Sequence, residues 1–283
     1  MACLGGGVKD RPDRMVRAVI DAVENKEIPG EQYKAILIDE GHDFQQEWLS
    51  LLRGKMLKKG KDSLFLFLYD KAQSIFKTGK VSLKSAGIDA VGHSVTLTKN
   101  YRNTKKIMEF AYKFAQNYFG MDESCEDIPL LKPESGGDEG ESPALKSCDS
   151  FVSEIDFAKQ CILKWRKNGV RFSEIAVFYP QKKHGEQLRK VFDKNNIPFN
   201  IGKEPSKGAL TLLTMQSCKG LEYKRVILLG IDDLHNDFDA AARGNARLLY
   251  VAMTRAQEYL VIVGSGKSGK WLDKMRGHAN YNN

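Results

Sequence analysis

Ala35-Ile36-Leu37-Ile38 runs without a polar break into Asp39-Glu40, and Leu64-Phe65-Leu66-Phe67-Leu68-Tyr69 runs in the same way into Asp70. Consecutive apolar residues, rather than an alternation, fit strands buried on both faces of a parallel sheet. Working outward, short runs of the same kind recur at Ile175 to Tyr179, Leu210 to Thr214, Val226 to Ile231 and Tyr259 to Val263. Between them lie stripes at helical spacing. They are Ile107, Phe110, Ala111, Phe114 and Tyr118; Ile155, Ala158, Ile162 and Trp165, stopped by Gly169; and Ala246, Leu249, Tyr250 and Met253. A further stripe, Met15, Val16, Val19, Ile20 and Val23, precedes Pro29-Gly30. Strands alternating with helices predict an α/β fold, a parallel sheet flanked by helices.

The chain of 283 residues, 42% hydrophobic, has room for two domains of ordinary size. No apolar run approaches the roughly 20 residues needed to span a bilayer, so no membrane association is expected. Nothing at the start reads as a secretion signal, and the expected compartment is the cytoplasm. The five cysteines, Cys3, Cys125, Cys148, Cys161 and Cys218, are odd in number and scattered, which argues against a zinc site or a disulfide framework. The formal charge is +8, yet the stretch Asp122 to Glu141 holds eight acidic residues and one Lys. The rest of the chain is therefore more basic than the total, and a polyanion such as nucleic acid is a plausible partner. The acidic stretch is rich in Gly, Pro and Ser and reads as a flexible loop at about 122–150. A domain boundary is expected upstream of it, near Asn103 or Thr104.

Several polar clusters stand where these strands end. In open parallel sheets ligands bind beyond the carboxyl ends of the strands, where Asp39 and Glu40 fall. Adjacent carboxylates can divide a task, one holding Mg²⁺ and the other acting as general base; an acidic loop that caps the next helix is the plain alternative. After the next strand come Asp70 and, close by, Gln73, an amide able to sense a phosphate or position water. Asn100-Tyr101-Arg102-Asn103 offers a flat ring for base stacking and a planar fork for phosphate. Thr214 to Glu222 crowds hydroxyl, amide, Lys and Glu around Gly220, a composition suited to phosphate and ribose contacts. Thr254-Arg255-Ala256 falls inside the helix marked by Leu249, Tyr250 and Met253.

The order of these clusters is more specific than any one of them. Ile38-Asp39-Glu40-Gly41-His42-Asp43, Asp70-x-x-Gln73-Ser-Ile, Leu97-x-x-Asn100-Tyr-Arg102, Thr214-x-x-x-x-Lys219-Gly-Leu-Glu222 and Leu249-Tyr-Val-Ala-Met-Thr-Arg255-Ala resemble motifs II to VI of superfamily 1 DNA helicases of the UvrD/Rep type. The resemblance implies P-loop NTPase-like, RecA-like lobes that hydrolyse ATP and move along single-stranded or partly duplex DNA. Carried over, Asp39 binds Mg²⁺, Glu40 activates water and Gln73 reports the γ-phosphate. Tyr101 stacks on adenine, Glu222 holds the ribose, and Arg102 and Arg255 approach the γ-phosphate. Phe76, Thr214 and Gln216 face DNA. The lobes are expected at residues 1–102 and 103–283.

Departures from the family pattern are informative. Motif II usually reads Asp-Glu-Ala-Gln-Asp, and here Gly41 and His42 take the middle places. Thr78 and Gly79 stand where an aromatic and an Arg are usual, and Gln216 stands where His is common. About 110 residues separate Arg102 from Thr214, too few for the large accessory domain of bigger relatives. No Gly-x-x-x-x-Gly-Lys-Ser/Thr loop occurs. The expectation is the C-terminal portion of a longer helicase, inactive alone and completed by an N-terminal Walker A portion. The alternatives are a helicase-like binding module without ATPase activity and an unrelated α/β nucleotide-binding protein.

Overall fold

The computed structural model describes residues 11–70, 82–119, 134–204, 206, 208–234, 240–265, 267 and 270–279. They divide into two compact units that part between Thr96 and Leu97. The sequence reading ends the first lobe at residue 102. Asn100, Tyr101 and Arg102 instead belong to the second unit, because β3 (Lys99–Asn100) pairs with β4 (Glu134–Ser135) and Asn103 bonds to backbone carbonyls at residues 254 and 256.

The first unit contains α1 (Arg11–Glu24), β1 (Ala35–Ile38), α2 (Gln46–Leu51) and β2 (Leu64–Phe67). β1 and β2 are parallel, with Ile36 beside Phe65 and Ile38 beside Phe67. These four residues pack with Leu49, Ala86, Phe44, Leu52 and Ile88. Side chains alternate across a strand, so Leu37, Leu64 and Leu66 point the other way, and they are exposed, Leu37 at 65%. The expectation of burial on both faces is therefore corrected for this pair. Among the described residues it forms a two-stranded sheet with packing on one side only.

In the second unit both faces are buried. Six parallel strands, in the order β5 (Ala144–Ser147), β10 (Ala256–Gly264), β9 (Tyr223–Leu228), β6 (Ile175–Tyr179), β8 (Leu210–Thr214), β7 (Phe199–Ile201), form the sheet. All five residues of β6 are buried. Ile175, Val177 and Tyr179 meet Ile155, Ala158, Ile162 and Trp165 of α4 (Phe151–Lys167) and Leu188 and Phe192 of α5 (Lys182–Lys194). The spacing of those α4 residues is the helical stripe read from the sequence. Ser150 caps the helix by accepting the Ser153 N–H at 3.2 Å, and Gly169 follows its end at φ +86°. Contacts with β9 and β10 also come from α3 (Lys105–Phe119), α6 (Ala240–Met253) and α7 (Trp271–Ala279), where Phe114 and Tyr118 pack on Trp271. This is the flanked parallel sheet that the apolar runs predict.

Two expectations change. Residues 120–133 of the acidic stretch lie outside the described residues. From Glu134 onward the stretch is built into the unit, as β4, a glycine-rich segment and β5, because its backbone finds strand and helix partners. Arg255 is not inside α6, which ends at Met253. Its carbonyl accepts the Tyr223 N–H at 2.9 Å, which draws the chain straight into β10.

Glu154 of α4 is buried, and its Oε2 accepts the Gly230 N–H at 2.6 Å. Loss of water pushes its pKa up to about 8, with Asp232 and Asp233 adding to the rise against the lowering effect of that hydrogen bond. The folded-state pKa lies above the ordinary 4.5, so the contribution to stability is complete below pH 4.5 and is lost as pH rises through about 8. Urea unfolding should therefore show stability falling across that window, and Glu154→Gln should flatten the fall and be the more stable form at the alkaline end. An unchanged slope in the variant would assign the effect elsewhere.

Candidate functional site

The first unit places Asp39 and Glu40 immediately beyond the carboxyl end of β1. Glu40 adopts φ 53°, ψ 36°, a left-handed conformation uncommon for a residue with a side chain. The strain is held in place locally. Glu40 N–H donates to Asp39 Oδ1 at 2.8 Å, and Gly41 N–H donates to the Leu68 carbonyl at 2.8 Å. A Cβ at Gly41 would lie 2.2 Å from the Phe67 ring, so the chain can pass over β2 only as glycine.

His42 is 2% exposed. Its Nδ1 accepts the Asp70 N–H at 3.2 Å, so the ring proton resides on Nε2, which lies 3.1 Å from Glu40 Oε2 and 3.9 Å from Asp43 Oδ1. The residue at a departure from the family pattern thus lies beside the carboxylate expected to act as base. Among the described residues no three His, Cys, Asp or Glu side chains converge as a metal cluster. The exposed carboxylate of Asp39 suits a divalent ion that keeps most of its water, as Mg²⁺ does. Gln73 and Phe76 lie outside the described residues.

In the second unit, residues far apart in sequence gather at the amino ends of β9 and β10. Arg102 Nε donates to Glu222 Oε2 at 2.9 Å, with both side chains about half exposed. Tyr101 is 71% exposed. Arg255 is 1% exposed and donates through Nε to the Val251 carbonyl, through Nη1 to the Leu221 carbonyl at 3.3 Å, and through Nη2 to Thr254 Oγ1. Asn103, which the sequence places in the Asn100–Asn103 cluster without a role of its own, donates from Nδ2 to the Thr254 and Ala256 carbonyls. No spacing signal could have singled it out, because its partners lie about 150 residues away.

Thr214 and Gln216 stand at the opposite end of the sheet, where β8 ends; Thr214 Oγ1 lies 2.9 Å from Ser217 Oγ, and Gln216 is exposed. The connection Met215–Glu222 crosses from that end to the start of β9. Met215 and Cys218 anchor it in the interior, and burial pushes the Cys218 thiol up to about 12. The thiol is therefore a packing group, not a nucleophile.

Residues 95–206 match the family of UvrD-like helicase C-terminal domains, and residues 209–263 match a second family of the same description. A probable DNA helicase II homolog of Mycoplasma capricolum is 24% identical over 69% of this chain and 27% of its own length. DNA helicase II of Haemophilus influenzae is 24% identical over 82% of this chain and 31% of its own length, and that of Escherichia coli 25% over 72% and 27%. The chain thus spans between a quarter and a third of these relatives. A solved C-terminal domain of a "possible DNA helicase" from Lactobacillus plantarum WCFS1 aligns with 61% of this chain and 91% of its own, at a TM-score of 0.45 and 18% identity. No described helix is long and apolar enough to cross a membrane.

Removing the His42 ring leaves the Asp70 N–H without that acceptor and takes the imidazole away from the Glu40 carboxylate. His42→Ala should cost about 1–3 kcal/mol in urea unfolding. His42→Gln, whose amide carries both a donor and an acceptor, should recover much of it; equal losses in the two variants would show that packing, not hydrogen bonding, is the role.

Proposed function

Because this chain belongs to the UvrD-like helicase C-terminal domain family, we propose that it is part of an ATP-dependent DNA helicase or translocase, one that couples ATP hydrolysis to movement on single-stranded DNA and so unwinds duplex. The observation that carries the reading is the meeting of Arg102, Glu222 and the Arg255 turn at one end of the sheet, with Arg102 coming from 120 residues before Glu222. An exposed ring, a carboxylate and two guanidiniums are what a nucleotide requires for its base, ribose and phosphates. Tyr101 then takes the adenine, Glu222 the ribose hydroxyls and Arg102 the terminal phosphate. Arg255 reaches the phosphate by giving up its long bond to the Leu221 carbonyl.

Asp39 would hold Mg²⁺, which when bound would supply positive charge to phosphoryl oxygens. Glu40, with the His42 ring beside its carboxylate, takes the proton from the attacking water. Gln73 senses the γ-phosphate. Thr214 and Gln216, at the far end of the sheet, contact the DNA backbone, and Phe76 stacks on a base.

Two observations support a longer intact protein with an N-terminal Walker A portion. The helicases matched are three to four times the aligned length. The leucines Leu37, Leu64, Leu66 and Leu68 leave an apolar sheet face open, and such a face is stable only when covered.

The test is steady-state ATP hydrolysis with and without single-stranded DNA. The full-length protein should be stimulated by DNA, and Glu40→Gln should lower kcat by about 10² or more while nucleotide binding persists. The chain alone should show no turnover. Full activity in the Glu40 variant would remove the assigned base, and hydrolysis by the chain alone would overturn the fragment reading.

A further inference from the structure

We propose that Asn103 is a positioning residue that fixes Arg102 relative to Arg255, and that Glu134–Gly140 is a strap holding the same loop from its other side. The role rests on the nucleotide reading above; the geometry does not. Asn103 is 1% exposed. Its amide nitrogen carries two hydrogens, and they go to the Thr254 carbonyl at 2.9 Å and the Ala256 carbonyl at 2.6 Å, the two that bracket Arg255. Its Oδ1 accepts from Asn100 Nδ2 at 3.0 Å. Asn100 Oδ1 in turn accepts the N–H groups of Arg102 at 2.9 Å and Asn103 at 3.1 Å. The two amides therefore join both arginine-bearing segments in one network. Asp offers no donor at that position and Ser offers one, so neither can hold both carbonyls.

The strap closes the other side. Gly136 N–H donates to the Asn100 carbonyl at 2.8 Å, and the N–H groups of Lys105 and Lys106, at the start of α3, donate to the Asp138 and Glu139 carbonyls. The Glu139 carboxylate pairs with both lysines, at 3.2 and 3.1 Å. A Cβ at Gly136 would lie 2.5 Å from the Tyr101 ring, and one at Gly137 would lie 2.6 Å from the Asn103 carbonyl oxygen. The Tyr101 ring is thus set against strap backbone on one side while most of its surface stays open to a base. Glycine is required here by close approach rather than by flexibility.

The two contacts predict different kinetic signatures. Stacking on Tyr101 is the same in ground and transition states, whereas the arginines act where charge develops. In the full-length protein, Asn103→Ala should lower kcat for DNA-stimulated hydrolysis about tenfold or more with KM for ATP within about twofold. Gly136→Ala should raise KM severalfold with little change in kcat. Combined with Arg102→Ala, the Asn103 substitution should add little further loss, because it acts through that arginine. Multiplying losses, or a KM effect from Asn103→Ala, would overturn the assignment.

Hydrogen exchange on the chain itself tests the clamp without any activity. In Asn103→Ala, amides of residues 101–106 and 254–257 should exchange about tenfold faster or more while those of β6 are unchanged. Unchanged exchange in both segments overturns the clamp. Should the alanine variant lose β6 protection, Asn103→Asp, nearly identical in shape and lacking the donors, takes its place. Wild-type protein that hydrolyses no ATP would defeat the helicase reading, and the exchange result would still decide whether Asn103 ties the two segments together.

Discussion

Burial of β6 on both faces is the constraint from which the larger unit follows. Its five residues are all inaccessible, it pairs with β8 on one edge and β9 on the other, and Ile175, Val177 and Tyr179 pack against α4 and α5. A fully buried Val, Ile or Phe is worth about 1.5–3 kcal/mol, so no polar group can enter the middle of the sheet without a partner. Polar chemistry is displaced to the two rims. Glu222 and Arg255 sit where β9 and β10 begin, Thr214 and Gln216 where β8 ends, and the strand length separates them. The same exclusion shapes Glu154, whose carboxyl is taken from water and answered by a single backbone N–H.

How much of this was legible depended on whether burial coincided with hydrophobicity. β6 and β8 carry the limits read from their apolar runs. β9 and β10 begin earlier than theirs, at Tyr223 and Ala256, because Lys224, Arg225 and Glu258 occupy the open rim. There a charged side chain costs little. Lys224 pairs with Glu174 and Glu258, and the Arg225 guanidinium lies over the Trp165 and Tyr259 rings. α5 escaped notice since its buried residues are His184, Gly185, Leu188 and Phe192, two of which carry no apolar signal. In the smaller unit the error ran the other way: Leu37 and Leu66 are as hydrophobic as any core residue, and sequence cannot say what stands opposite them.

The candidate site divides along a similar line. Asp39, Glu40, Tyr101, Arg102, Glu222 and Arg255 could be named as candidates from the sequence because motif order preserves residue type and spacing. His42, Asn103 and the glycines could not, since their roles are relations. His42 matters through a backbone N–H at residue 70, Asn103 through two carbonyls contributed by a distant turn, and Gly41 through the ring of Phe67. Each departs from what side-chain chemistry alone would suggest. A histidine beside two acids invites a metal or proton-relay reading, yet its imidazole here is buried and accepts a backbone N–H from the next strand's end.

The connection Met215–Glu222 has a mechanical meaning. Most parallel strands of one sheet are joined through a helix, which can slide or tilt as a body; β8 and β9, with β6 between them, are not. Here eight residues return from the end of one strand to the start of another. A five-residue strand is roughly 17 Å long, and eight residues at full extension reach about 28 Å at most. The helical turn at Met215–Ser217 uses some of that reach, and the buried side chains of Met215 and Cys218 pin it partway. Little slack is left. The segment is a tie rod rather than a hinge, and a pull on Thr214 arrives at Glu222 as displacement instead of being absorbed along the way.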